Sequence, residues 1–215
     1  MKACIVVYPG SNCDRDVYHA LKYVGVDVNY VGLDDSLDGC DLVVLPGGFS
    51  YGDYLRPGAV AAREKISHEV RRAADRGKLI LGICNGFQIL IEMGLLPGAL
   101  LRNSSGRFVS KWVRLIVEDV DTPFTRNFKS REVIKLPVAH GYGRYFKTDS
   151  AIRVVFKYMD DVNGSDDMIA AVTTEDGRIL GMMPHPERAY EKLLGGEDGL
   201  KLFTSVVEYL RRNAS

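Results

Sequence analysis

Cys84, His185 and Glu187 have the side-chain types that acyl transfer through a thiol requires: a nucleophile, a base and a carboxylate to orient the base. Cys84 ends the apolar run Leu79-Ile80-Leu81-Gly82-Ile83 and precedes Asn85-Gly86-Phe87-Gln88, where an amphipathic helix is predicted to begin. Small neighbours on both sides suit a sharp strand-to-helix turn that exposes a nucleophile over the helix N-terminus. A cysteine there feels the positive end of the helix dipole, which favours thiolate. Free cysteines are otherwise commonly buried and inert, so Gly82 and Gly86 carry the argument for a nucleophile.

His185 and Glu187 lie in Met183-Pro184-His185-Pro186-Glu187-Arg188. Proline drives the residue before it into an extended conformation, so Pro186 predicts that His185 and Glu187 share a face, with the carboxylate fixing the imidazole tautomer. The backbone N–H of Asn85, the residue after the nucleophile, is placed to stabilise an oxyanion. Gly48, in Pro46-Gly47-Gly48-Phe49-Ser50, is the candidate for a second donor, although paired glycines also serve simple tight turns. His19 and His68 fall in predicted helices, and His140 is a rival base that lacks a carboxylate at strand spacing. Cys4 reads as core; Cys13 and Cys40 read as turn residues without a nearby histidine.

The elements that must position these groups follow from periodicity. Strands are expected at 3–8, 27–31, 41–45 and 79–83, alternating with helices at 15–24 and 59–76. Gly25 and Gly77 fall where helix C-caps are wanted. Further strands are expected at 112–117, 133–137 and 169–173, and a closing helix at 199–211. This alternation predicts a three-layer α/β fold, an open and mostly parallel sheet flanked by helices, whose chemistry gathers at the carboxyl ends of the strands. One domain over residues 1–215 is expected, since the length and the 46% hydrophobic and 26% charged composition suit one sizeable core.

Other function classes find little support. Twenty-eight basic and 28 acidic residues cancel without a basic cluster, so nucleic acid is an unexpected partner. No apolar run is long enough to span a membrane, and the first residues read as a core strand, not a signal peptide. Four cysteines without Cys-x-x-Cys spacing suggest a reducing cytoplasm and no structural zinc; no metal site is expected. Phosphate-loop and dinucleotide glycine motifs are missing, so no cofactor is expected in this chain.

Gly82, Cys84, Gly86, Gln88, His185 and Glu187 resemble the Gly-x-Cys-x-Gly-x-Gln elbow and later His-Pro-Glu of the class I (triad) glutamine amidotransferases. The phrases 9–14, 47–54, 82–88 and 184–188 are similar to a narrower family, the small glutaminase subunits of phosphoribosylformylglycinamidine synthases. That resemblance implies hydrolysis of L-glutamine to glutamate and ammonia through a Cys84 thioester. The ammonia would pass to a large synthetase subunit that uses ATP and Mg, with a small bridging subunit as a further partner. It also implies that Phe49, Gln88 and Arg102 bind glutamine. Tyr51, Tyr54 and Tyr142 are candidates for a docking surface. Rival readings are a glutaminase of another synthase, an elbow-cysteine hydrolase or glyoxalase-like protein, and a non-enzymatic flavodoxin-like module.

Overall fold

The computed structural model describes residues 1–148 and 151–213. Eleven strands occur among them: β1 (Lys2–Val6), β2 (Asp27–Val31), β3 (Leu42–Leu45), β4 (Leu79–Ile83), β5 (Ala99–Leu101), β6 (Val109–Val117), β7 (Val133–His140), β8 (Arg144–Phe146), β9 (Arg153–Tyr158), β10 (Ile169–Thr173) and β11 (Ile179–Met182). Nine form one sheet in the order β2-β1-β3-β4-β11-β10-β9-β6-β7, and β5 pairs with β8 separately. From β2 to β11 neighbouring strands are parallel; from β10 to β7 they are antiparallel.

The parallel half obeys the pattern read from the sequence. Every residue of β3 and β4 is buried, as expected of strands covered on both faces. Helix α1 (Asp14–Tyr23) buries Val17, Ala20 and Leu21, a spacing that places them on one face, and it has Asp14 and Asp16 at its positive end and Lys22 at its negative end. Helix α2 (Lys65–Asp75) buries Ile66, Val70 and Ala73 in the same way. Helix α3 (Asn85–Glu92) follows β4 directly, and α4 (Asp198–Arg212) closes the fold with Leu202, Phe203, Val206 and Val207 inward. Gly25 and Gly77 adopt φ of 76° and 71°, in the left-handed region that a helix C-cap needs.

Two local expectations are corrected. The helix expected over 59–76 is split: a 3-10 turn spans Ala61–Arg63, Glu64 is extended at ψ 156°, and α2 starts only at Lys65. Cys4 and Cys40 form a disulfide with Cα atoms 5.9 Å apart. They meet because β1 and β3 are neighbours, with Ala3 opposite Leu42, so Cys40, two residues before β3, falls near β1. With those thiols paired, the cysteines no longer argue for a reducing compartment. Protein denatured without reductant should titrate two free thiols, Cys13 and Cys84, and four after reduction; four before reduction would contradict the pairing.

Candidate active site

The register between β4 and β11 brings the two strand ends together. Gly181 pairs with Gly82 and Met182 with Ile83, so the segments leaving both strands emerge side by side. The Cys84 N–H donates to the Met182 carbonyl at 2.7 Å, which ties the two segments at residue 84 itself. Cys84 has φ 51° and ψ −103°, a strained conformation for a residue with a Cβ. The turn is possible because its neighbours are small. A Cβ on Gly86 would lie 1.9 Å from the Leu45 carbonyl oxygen, and one on Gly82 would lie 2.8 Å from the Gly86 backbone. Glycine thus lets α3 start against β3 and β4 without a gap.

His185 follows a two-residue bend, Met183–Pro184, that leaves β11. Its N–H donates to the Pro137 carbonyl of β7 at 2.8 Å, and its Nδ1 lies 2.6 Å from Glu187 Oε1. The pairing expected from the sequence is present, by a different backbone route. His185 is extended at φ −104° and ψ 92°, but Pro186–Arg188 is a 3-10 turn, and that turn folds Glu187 back onto the ring. His185 and Glu187 are each 1% exposed while Cys84 is 5% exposed, so the trio is almost fully shielded from solvent. Burial alone would lower the pKa of His185. Glu187, Cys84 and Cys13 more than offset that and hold it well above the ordinary imidazole value. Nε2 nevertheless makes no hydrogen bond with either sulfur, whereas Cys84 Sγ points to the Ala139 carbonyl at 3.6 Å.

The two N–H groups expected to hold an oxyanion have no protein partner among the described residues. Phe49 N–H donates to Gly10 and the Asn12 and Cys13 N–H groups converge on the Gly47 carbonyl, leaving the Gly48 N–H unbonded among the described residues. Asn85 is the first residue of α3, where a backbone N–H has no acceptor within the helix. The Asn85 side chain is equally engaged. Its Oδ1 accepts from Ser50 N–H at 3.1 Å, its Nδ2 donates to Gln88 Oε1 at 2.8 Å, and Gln88 Nε2 donates to the Tyr142 carbonyl at 2.7 Å. This chain of bonds ties the segments at Ser50 and Tyr142 to α3, and it occupies the Gln88 amide that the resemblance assigns to glutamine.

Among the described residues, none of the remaining expected residues hydrogen-bonds to the trio. Phe49 is exposed and its ring lies 6.4 Å from that of Phe108. Arg102 is exposed, and its guanidinium donates to the Gly106 carbonyl at 2.9 Å. Tyr54 and Tyr142 are exposed, whereas Tyr51 is half-buried. His140 is buried, with Nδ1 3.0 Å from Asn103 Oδ1 and Nε2 unpartnered. Cys13 corrects the sequence reading, which left it without a histidine. A Cβ on Gly47 would lie 2.8 Å from His185 Cε1 and 3.0 Å from Cys13 Sγ, so ring and thiol share one niche. Arg188 Nη2 also donates to that sulfur at 2.9 Å, across 175 positions of sequence. The available signal was the place of Cys13 just beyond the carboxyl end of the first strand, where sites gather.

A nucleophile elbow, a buried His–carboxylate pair and two free N–H groups together equip a site for acyl transfer. Residues 1–209 match the family model for the CobB/CobQ-like glutamine amidotransferase domain. The chain belongs to this glutamine amidotransferase family. It is 66% identical over 211 residues to the phosphoribosylformylglycinamidine synthase subunit PurQ of Thermotoga maritima, covering 98% of this chain and 99% of that one. The PurQ subunit of Pyrococcus horikoshii is 49% identical over 222 residues, covering 99% of this chain and all of the relative. Among solved structures, a chain of PurLQS from Thermotoga maritima superposes with a TM-score of 0.96 at 66% identity, over 97% of this chain and 98% of that one. This amidotransferase therefore has the fold expected from its sequence.

Burial, reinforced by repulsion from His185, pushes the pKa of His140 down to about 4 from an ordinary 6.5. Between those values the unfolded chain binds a proton that the folded one does not, so stability falls as pH drops through that window. Urea midpoints of His140→Gln should lose less stability than wild type across it; equal slopes would contradict the assignment. Gln88→Ala should cost about 1–3 kcal/mol in the same assay, because it strips partners from Asn85 and the Tyr142 carbonyl. A wild-type midpoint would show that the brace carries no stability.

Proposed function

We propose that Cys84, His185 and Glu187 perform the glutaminase reaction of a phosphoribosylformylglycinamidine synthase within a single domain. The observation that carries the reading is the buried Nδ1 to Oε1 bond of 2.6 Å between His185 and Glu187, beside a cysteine held on a positive-φ elbow. Cys84 sulfur attacks the side-chain carboxamide carbon of glutamine, forming the C–S bond. The oxyanion that develops is stabilised by the Gly48 and Asn85 N–H groups. His185 gives its proton to the departing nitrogen as the C–N bond breaks, and ammonia leaves. A γ-glutamyl thioester remains on Cys84. His185, oriented by Glu187, then takes a proton from the attacking water, glutamate departs and the thiolate is restored.

Ammonia made in this way serves a large synthetase subunit, which spends ATP with Mg to convert formylglycinamide ribonucleotide to its amidine in purine biosynthesis. Similarity to the PurQ subunits and to a chain of PurLQS supports that assignment. A small bridging subunit completes the proposed assembly, which we place in the cytoplasm. No helix among the described residues is long and apolar enough to cross a membrane. Phe49, exposed beside Phe108, remains a proposed glutamine contact, its N–H bonded to the Gly10 carbonyl and its carbonyl to the Gly52 N–H. Arg102 is the proposed partner for the glutamine carboxylate, and Gln88 supports the pocket through its bonds to Asn85 and Tyr142.

A glutamine-mimicking diazoketone should label Cys84 alone, more strongly when the synthetase is present; labelling of Cys13, or of no cysteine, would overturn the reading. Gly48→Ala would force its Cβ within 2.8 Å of the Gly10 carbonyl oxygen and displace the donor. It should lower kcat by about a hundredfold or more with a smaller change in KM. A KM effect alone would remove Gly48 from the oxyanion hole.

A further inference from the structure

We propose that Cys13, His185 and Glu187 form an inhibitory site for a thiophilic divalent cation, of the chemistry of Zn2+ or Cd2+. Each offers a ligand atom, a sulfur, a ring nitrogen and a carboxylate oxygen, and these lie within 4.8 Å of one another. All three residues are buried, at 2%, 1% and 1% exposure. Sulfur, imidazole and carboxylate are the ligand types of tetrahedral zinc, with metal–ligand distances of about 2.0–2.3 Å. Ligand atoms in such a shell stand roughly 3–4 Å apart, so small side-chain movements close the site.

A second observation points to a ligand. Glu187 Oε2 is buried without any hydrogen-bond partner, a costly state for a carboxylate oxygen, and its carboxylate lies on the Nδ1 side of the His185 ring, where the cation would bind. Space exists because Gly47 has no side chain between His185 and Cys13. Binding releases two protons to solvent, one from the Cys13 thiol and one from His185 Nδ1, and the resulting thiolate and the Glu187 carboxylate balance the two charges of the cation. The Arg188 N–H bond to Cys13 Sγ can persist as support from outside the metal shell. Cys13 takes no part in the proposed glutaminase chemistry, which makes its thiol available for this role. A cation held on His185 withdraws the base from Cys84 and stops glutamine hydrolysis. That inhibition rests on the role given to His185 above, whereas the binding does not.

The test separates the two. Cys84→Ala protein titrated with Cd2+ should develop a thiolate-to-cadmium absorption band that saturates at one ion per chain, and Cys84→Ala/Cys13→Ser should lose the band. X-ray absorption of the Zn2+-loaded Cys84→Ala protein should find a single sulfur neighbour, a readout that requires no change at Cys13. In the complex with the synthetase, Cys13→Ser should retain measurable glutaminase activity and need at least about tenfold more Zn2+ for half inhibition. The proposal is overturned by a band that survives Cys13→Ser, by a zinc shell without sulfur, or by equal Zn2+ sensitivity of wild type and Cys13→Ser.

Discussion

Residue 84 must leave a fully buried parallel strand and begin a helix within one residue, and its φ of 51° records that demand. A non-glycine residue holds such a conformation only when its surroundings over-determine it. Here the bond from Cys84 N–H to Met182 fixes one side of the turn, and the contact of Gly86 with the Leu45 carbonyl fixes the other. The order β3-β4-β11 in the sheet supplies both walls. Moving β11 elsewhere would leave the elbow unsupported and would also carry His185 away from Cys84. One strand therefore both holds the turn and delivers the base.

Electrostatics then acts on groups that packing has already placed. Burial alone would push the pKa of an imidazole 1% exposed down, yet Glu187 at 2.6 Å and the two nearby sulfurs raise it well above the ordinary value. His140, equally sheltered but lacking a carboxylate, moves the opposite way. The contrast explains why one histidine suits proton transfer and the other suits packing. Around the pair, the bonds among Ser50, Asn85, Gln88 and Tyr142 hold two segments against α3. Rigidity of that kind keeps donors aimed without reorganisation during reaction.

Local signals made much of this legible in the sequence. The glycines around Cys84 and the prolines around His185 impose backbone constraints that act over a few residues, so the trio could be proposed before any coordinates. The antiparallel half was less legible. Strands β5, β8 and β9 are short or irregular, and β9 carries register shifts against β10 that blur the alternation on which strand reading depends. Contacts distant in sequence carried no local signal: the Cys4–Cys40 disulfide, the Arg188–Cys13 bond and the shared niche of Cys13 and His185 arise from sheet order alone. The extended-face argument for Glu187 reached the right partner although the chain forms a 3-10 turn there.

The most direct test is to capture the covalent intermediate. The chain, assembled with its synthetase, would be mixed with glutamine, quenched in acid during turnover and digested for mass spectrometry. The account predicts a γ-glutamyl adduct on the peptide that contains Cys84, absent from Cys84→Ser. Turnover without any adduct on that peptide, or with the adduct on Cys13, would contradict it.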